Sequence, residues 1–291
     1  MEDKKVLIVF DSNSVIHRAF HALPPLKTKS GEVVGAVYGF LLVFLKAIKE
    51  FQPDFVAACF DVKGPTFRHE KYEQYKAQRP KAPQELYDQI PRVKDVLAGF
   101  SVPVFEKQGF EGDDIIGTIA KLAPQKQPKL ETIIISGDSD NLQLVNDKTK
   151  VYALRKGVKD TVLYDEKLVA EKYQGLKPKQ LIEYRALRGD PTDNIPGVKG
   201  VGEKTAIELI QQFGSVENIY QNIDDVQRIK LKQILIQNKE EAFFSKELST
   251  IYQDVPMEFN LNDCLWSNYD KEKATKVLEP FGFHSLILRL P

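Results

Sequence analysis

The 291-residue chain reads as an α/β protein: a mostly parallel central sheet flanked by helices, followed by a C-terminal helical subdomain. Three observations predict this. Apolar runs without polar alternation recur at 5–10, 55–60 and 132–136, the pattern of strands buried on both faces. Helical periodicity fills the gaps between them, and strands alternating with helices argue for parallel pairing. After about residue 165 helix patterns follow one another without a strand.

Each element has its own warrant. Lys5-Val6-Leu7-Ile8-Val9-Phe10 opens the sheet and ends in Asp11. Residues 36–51 are apolar at helical spacing. Phe55-Val56-Ala57-Ala58-Cys59-Phe60 is a second strand and ends in Asp61. Residues 63–83 are basic and close on prolines. Residues 84–100 carry Leu86, Ile90, Val93 and Leu97 on one helical face. A short strand at 102–105 leads through Glu111-Gly112-Asp113-Asp114 into a helix at 115–122. The strand at 132–136 runs into Gly137-Asp138-Ser139-Asp140. A strand pair turns at Lys156-Gly157. Helices are expected at 166–173, 178–187, 203–213, 215–221, 226–237 and 239–250, then an irregular stretch and a helix near 270–279.

Composition bounds the function. Forty-one Lys and Arg balance 41 Asp and Glu, so no overall basic signature for nucleic acid appears. The charge is local instead. Lys63, Arg68, Lys71, Lys76, Arg79 and Lys81 crowd 63–81, and Arg228, Lys230, Lys232 and Lys239 crowd 226–239. Acids gathered elsewhere mask these patches in the sum. Two cysteines far apart suggest neither a disulfide framework nor a zinc site. No apolar run reaches membrane-spanning length, and no signal peptide opens the chain; a soluble, intracellular protein is expected.

The chemistry lies in the acids. In a parallel sheet ligands bind beyond the carboxyl ends of the strands. Asp11, Asp61 and Asp138 each fall at such an end, and Glu111, Asp113 and Asp114 follow a fourth strand. One strand-end aspartate is ordinarily a helix cap or turn former; four strands aiming acids at one edge is a pattern. Clustered carboxylates repel unless a cation neutralises them, and oxygen donors without His or Cys select Mg²⁺ or Mn²⁺. Further on, Asp190 and Asp193 precede Gly197-Val198-Lys199-Gly200-Val201-Gly202-Glu203-Lys204-Thr205. A glycine-rich turn feeding a helix N-terminus is a seat for a phosphate. The basic segment 63–83 suits a single strand, with Tyr72 or Tyr75 to stack on a base. Together these point to a metal-dependent enzyme acting on a phosphodiester.

These motifs resemble the 5′ nuclease domains of bacterial DNA polymerase I, in the flap endonuclease superfamily. The resemblance rests on Phe60-Asp61-x-Lys63-Gly64-x-Thr66-Phe67-Arg68, Tyr75-Lys76-x-x-Arg79-Pro80, Glu111-Gly112-Asp113-Asp114, Gly137-Asp138-Ser139-Asp140 and the run from Gly189 to Ala206. It implies a PIN-like 5′ nuclease fold over 1–165, a helical gateway at about 63–90, and a helical DNA-binding subdomain over 166–291. A helix-three-turn-helix is implied at about 189–213. It implies two metal sites: Asp11, Asp61, Glu111 and Asp113 near the attacking water, and Asp138, Asp140, Asp190 and Asp193 as the second, with Asp114 in an outer layer. Arg18, Arg68, Lys76 and Arg79 match positions that handle the scissile phosphate and the 5′ strand. The hairpin residues Gly197 to Gly202, with Lys204 and Thr205, match the duplex grip, where the family often holds K⁺. Ser12, Gly112, Ser139 and His17 depart from the common pattern without removing an implied ligand.

The implied activity is 5′-3′ exonuclease and 5′ flap endonuclease action on DNA and RNA primers in replication and repair. The implied setting is the bacterial cytoplasm at the nucleoid, as a monomer, with a DNA polymerase attached or separate. The alternative is a flap- or junction-binding module that has lost catalysis; the complete acid set speaks against it. A haloacid dehalogenase-type phosphatase needs a second Asp two positions after the first, and Asn13 stands there. A compact PIN ribonuclease needs neither gateway nor hairpin.

Overall fold

A computed structural model describes residues 4–291. Strand β1 (Lys5–Asp11) runs directly into helix α1 (Ser12–Ala22), and α2 (Gly35–Phe51) leads back to β2 (Phe55–Cys59). The gateway region holds α3 (Phe67–Lys71), α4 (Gln84–Tyr87) and α5 (Gln89–Gly99), before β3 (Val104–Phe105). Helix α6 (Gly112–Lys126) and β4 (Leu130–Ser136) follow, then β5 (Thr149–Lys156) and β6 (Asp160–Tyr164).

The six strands lie in the order β3-β2-β1-β4-β5-β6. The first five are parallel, and β6 returns antiparallel to β5. The chain leaves β1 toward β2 on one side and comes back to β4 on the other. This makes the β1/β4 junction the topological switch point, where a crevice opens beyond the strand ends.

The faces of the sheet carry different partners. On one face Phe10, Phe40, Phe44 and Phe100 form an aromatic core beneath α1, α2 and α5. Two C-terminal helices, α13 (Lys271–Leu278) and α14 (His284–Ile287), contribute Ala274, Leu278 and Leu286 to that same core. On the other face α6 covers Leu7, Val9 and Ile134. The helical half shares this second core, through Leu181, Leu187, Val198, Ile207 and Leu235. Its elements are α7 (Glu166–Lys172), α8 (Gln180–Arg188), α9 (Glu203–Phe213), α10 (Val216–Gln221), α11 (Ile229–Gln237) and α12 (Lys239–Ser249), in the order expected. The hairpin between α8 and α9 is therefore fixed to the sheet by shared apolar burial.

Three expectations need correction. No helix was expected at 12–22. Its apolar residues Val15, Ile16, Ala19 and Phe20 recur at helical spacing, but it begins directly at the end of β1; the Asp11 cap, which accepts the Ser14 N–H, sets its start. The helix expected at 84–100 is broken at Asp88 into α4 and α5. The gateway is largely turn rather than helix between 72 and 83. Pro80 and Pro83 lack the N–H that a helix needs, and Lys76 adopts a left-handed φ of 55°, so the segment cannot continue as one.

Candidate active site

The strand ends and the hairpin enclose one cavity of about 430 Å³. It is lined by Asp11, Asp61, Glu111, Asp113, Asp138, Asp140 and Asp193, together with Arg18, Lys76 and Arg79. Seven sequence-distant acids are thus brought to the edge predicted from the strand ends. Asp114 and Asp190 do not line it.

The acids differ in what faces them. Asp11, at the end of β1, caps α1, and its Oδ2 accepts the Ser136 hydroxyl at 2.6 Å across the switch point. Asp113 lies in the first turn of α6, where the helix dipole favours a negative charge. Asn141 Nδ2 donates to Asp113 Oδ1 at 2.8 Å and reaches Asp11 Oδ2 at 3.4 Å. Burial pushes Asp11 up to about 6, against its serine hydrogen bonds and with help from the charges of Asp138 and Asp61. Burial and the nearby Asp11, Asp138 and Asp140 push Asp113 well up. Asp61 is exposed, and the Gly112 N–H donates to its Oδ1 at 2.6 Å. A Cβ at Gly112 meets that same oxygen at 3.2 Å, which suits glycine there.

The remaining acids are met by protein cations. Lys76 Nζ lies 2.7 Å from Glu111 Oε1 and 3.7 Å from Asp193 Oδ2. Arg79 pairs with Asp193. The Tyr75 hydroxyl donates to Glu111 Oε2 and Asp193 Oδ2, each at 3.1 Å. Burial pushes Glu111 up, but Lys76 and Arg68 outweigh it and hold its carboxyl below the usual range. The contacts extend to the backbone: the Lys76 N–H donates to the Asp193 carbonyl at 3.0 Å, and Asn194 Nδ2 donates to the Gln74 carbonyl at 2.7 Å. The gateway is fastened to the Asp190–Asp193 turn.

Several residues implied to touch DNA have other work. Arg68 is 3% exposed and grips Asp114, which is fully buried, with two hydrogen bonds of 2.7 and 2.8 Å. It also donates to the carbonyls of Leu248 and Thr250, at 3.0 and 2.7 Å. Arg68 and Asp114 therefore tie α3, α6 and α12 together. Tyr75 is 3% exposed, so it has no face for a base; Tyr72 is half-buried against Phe244. Arg18 lines the cavity and donates to the Gly137 carbonyl at 2.8 Å.

In the hairpin, Val198 and Val201 are core residues and the Gly197 N–H donates to Ser245 Oγ at 2.9 Å. Lys199, Gly200, Gly202 and Lys204 face outward, and Thr205 is half-buried. Gly189 and Gly197 interlock: a Cβ on Gly197, at φ 63°, falls 2.2 Å from the Gly189 nitrogen, so only glycine fits.

Reading the sequence misses four contributors: Asn141, His17, His21 and Arg185. The two histidines come with the unexpected helix α1 and line the cavity. Burial and His21 lower the His17 pKa, keeping that ring neutral at neutral pH. Arg185 pairs with Asp140 and lies 4.0 Å from Asp190. Its signal was available, since it falls four residues after Leu181 on the apolar stripe of α8, where a charge is unusual.

The acid cluster suits a hard divalent cation: carboxylate oxygens, with buried Asp11 and half-buried Asp113 met by neutral donors, and a buried Asn141 Oδ1 with no hydrogen-bond partner. As the side chains stand, no three His, Cys, Asp or Glu among the described residues gather closely enough to hold a metal ion.

A family model described as the 5′-3′ exonuclease N-terminal resolvase-like domain matches residues 6–174. A second, the 5′-3′ exonuclease C-terminal SAM fold, matches residues 176–272. The chain belongs to the 5′-3′ exonuclease family. DNA polymerase I of Bacillus subtilis is 41% identical over 290 residues, covering 100% of this chain and 33% of the relative. That of Chloroflexus aurantiacus is 39% identical over 293 residues, covering 98% and 31%. The chain spans about a third of the length of these relatives. Among solved structures, T5 5′-exonuclease with bound zinc superposes with a TM-score of 0.70 at 23% identity, over 94% of this chain and 99% of that one. The catalytic core of Rad2 in complex with DNA substrate gives 0.59 at 19%, over 96% and 88%. At these identities the likeness is one of fold. The 5′-3′ exonuclease fold accounts for the parallel sheet, the strand-end acids and the helical half; this member is a nuclease. No helix among the described residues is long and apolar enough to cross a membrane.

Proposed function

We propose that this 5′-3′ exonuclease domain is a metal-dependent, structure-specific nuclease that removes 5′ flaps and RNA primers from duplex DNA. The observation that carries this reading is the convergence of Asp11, Asp61, Glu111, Asp113, Asp138, Asp140 and Asp193 on one cavity rimmed by Arg18, Lys76 and Arg79. Asp11, Asp61, Glu111 and Asp113 are assigned to one divalent ion; Asp138, Asp140, Asp190 and Asp193 are assigned to a second. Mg²⁺ or Mn²⁺ there supplies the positive charge that activates water and stabilises the leaving oxygen of an in-line displacement.

The chain's own residues do the rest. Lys76 and Arg79 exchange carboxylates for the scissile phosphate, a charge-assisted contact of the same kind. Arg18, held by the Gly137 carbonyl, presents its remaining donors to the 5′ strand. The outward hairpin residues Lys199, Gly200, Gly202 and Lys204 contact duplex backbone without reading sequence, with K⁺ as a further ligand of that turn. The catalytic unit and the helical DNA-binding unit divide near residue 165. The setting is the bacterial cytoplasm, as a monomer acting beside a DNA polymerase.

Cleavage of a 5′-labelled flap duplex, with and without Mg²⁺, tests this. Short labelled products ending at the junction, formed only with metal, support it. Flap that is retarded but uncut overturns it in favour of a binding module.

A further inference from the structure

Arg185 has a position that the nuclease reading does not use. It is 7% exposed and sits near the end of α8, five residues before Asp190. The left-handed Gly189, at φ 77°, turns the chain so that Asp190 folds back beside it. From there its guanidinium contacts Asp140, which comes from the loop after β4, and stands 4.0 Å from Asp190 Oδ2. One side chain thus joins acids from the sheet edge and from the hairpin. These are two of the four carboxylates assigned above to a second divalent ion.

A carboxylate oxygen in direct contact with a guanidinium is not open to a divalent ion at the same point. Arginine keeps its charge at every accessible pH, so the oxygen is released only when the guanidinium moves. A phosphate offers Arg185 a replacement partner of matching fork geometry. We propose that Arg185 is a positioning residue: it holds Asp140, with Asp190 alongside, in the DNA-free enzyme and yields Asp140 to a divalent cation when the scissile phosphate enters. The inference rests on the metal-dependent reading above. It predicts that, beyond the Lys76 and Arg79 contacts to Glu111 and Asp193, Arg185 further weakens the second acid set for a divalent ion in the free enzyme.

The test uses the whole 291-residue chain and Mn²⁺ as the probe, followed by electron paramagnetic resonance. In DNA-free protein, Arg185→Met takes up its weaker Mn²⁺ about tenfold more tightly than the native chain, the lower end of what an adjacent charge does to a bound proton. Arg185→Lys, which restores the positive charge, returns the affinity toward the native value. Unchanged or weaker uptake by Arg185→Met overturns the proposal. A second readout needs only the native fold: the Arg185 Nε–H resonance, assigned by its loss in Arg185→Lys. It is expected to stay in place at one equivalent of Mg²⁺ and to shift when flap DNA and Ca²⁺ are added. A resonance unmoved by DNA marks a fixed strut and overturns the proposal. Absence of any Mn²⁺ uptake by the native chain overturns the metal reading itself, whereas uptake indifferent to Arg185 removes only this assignment.

Discussion

Two groups of buried acids meet at one sheet edge and live under different electrostatic conditions. Asp11 and Asp113 are held by a serine hydroxyl and an asparagine amide, and burial drives their carboxyls up. Glu111, Asp193 and Asp114 are met by Lys76, Arg79 and Arg68, and Glu111 is held down. Burial alone penalises a carboxylate wherever it sits; the partner decides the sign. The first group therefore awaits a cation from solution, and the second has the protein's own. The cations that complete the second group come from the gateway, so its attachment to the Asp190–Asp193 turn places positive charge beside these acids.

The contrast is broken most severely at Arg68. Arg68→Met leaves Asp114 at 0% exposure with no cation, facing only the backbone N–H groups of Glu111 and Tyr252, and urea unfolding is expected to show a loss of about 3–5 kcal/mol. A loss under about 1 kcal/mol would mean that Asp114 finds another partner.

Asp113→Asn tests the opposite group. It removes a charge that the fold does not compensate, so metal-free stability is expected to hold or rise. Mg²⁺-dependent cleavage is expected to fall by about 10²–10³-fold. Loss of stability together with activity would place Asp113 in the structural set.

The pH dependence sharpens the same point. Asp11 has a folded pKa of about 6 against an ordinary value of 3.8, so the folded state holds its proton more tightly than the unfolded chain. That contribution is fully present below about pH 4 and is lost as pH rises through about 6. Metal-free protein is expected to lose about 2–3 kcal/mol across that window. Asp11→Asn should flatten this part of the profile in thermal melts. A native profile already flat from pH 4 to 6 would deny the raised pKa.

The smallest effect is at the latch. Tyr75→Phe removes one hydroxyl shared by Glu111 and Asp193 and should cost about 1 kcal/mol. Faster proteolysis within 72–83 is the readout, since local opening of the gateway precedes cutting there.

How much of this was legible depends on the kind of signal. The parallel strands, the helices of the second half and the acids at strand ends follow from periodicity and from where a chain leaves a sheet. Helix α1 was not legible because it follows β1 directly, with no turn residues between them to mark its start. The helical gateway that the resemblance implies at about 63–90 is largely turn between 72 and 83, where Pro80, Pro83 and the left-handed Lys76 break it.

The chain by itself determined that the strand-end acids Asp11, Asp61 and Asp138 face the crevice, because a parallel strand delivers its end to the carboxyl edge wherever it pairs. The structure decided that Asp114 and Asp190 do not line it and that Gly189 and Gly197 interlock. Only the tertiary structure decided which cation each acid meets. Arg68 and Asp114 are 46 residues apart, and Arg79 and Asp193 are 114 apart. Charge sign along a sequence is blind to such pairings. They are settled by the packing of the helical half against the sheet, through the apolar core the two parts share.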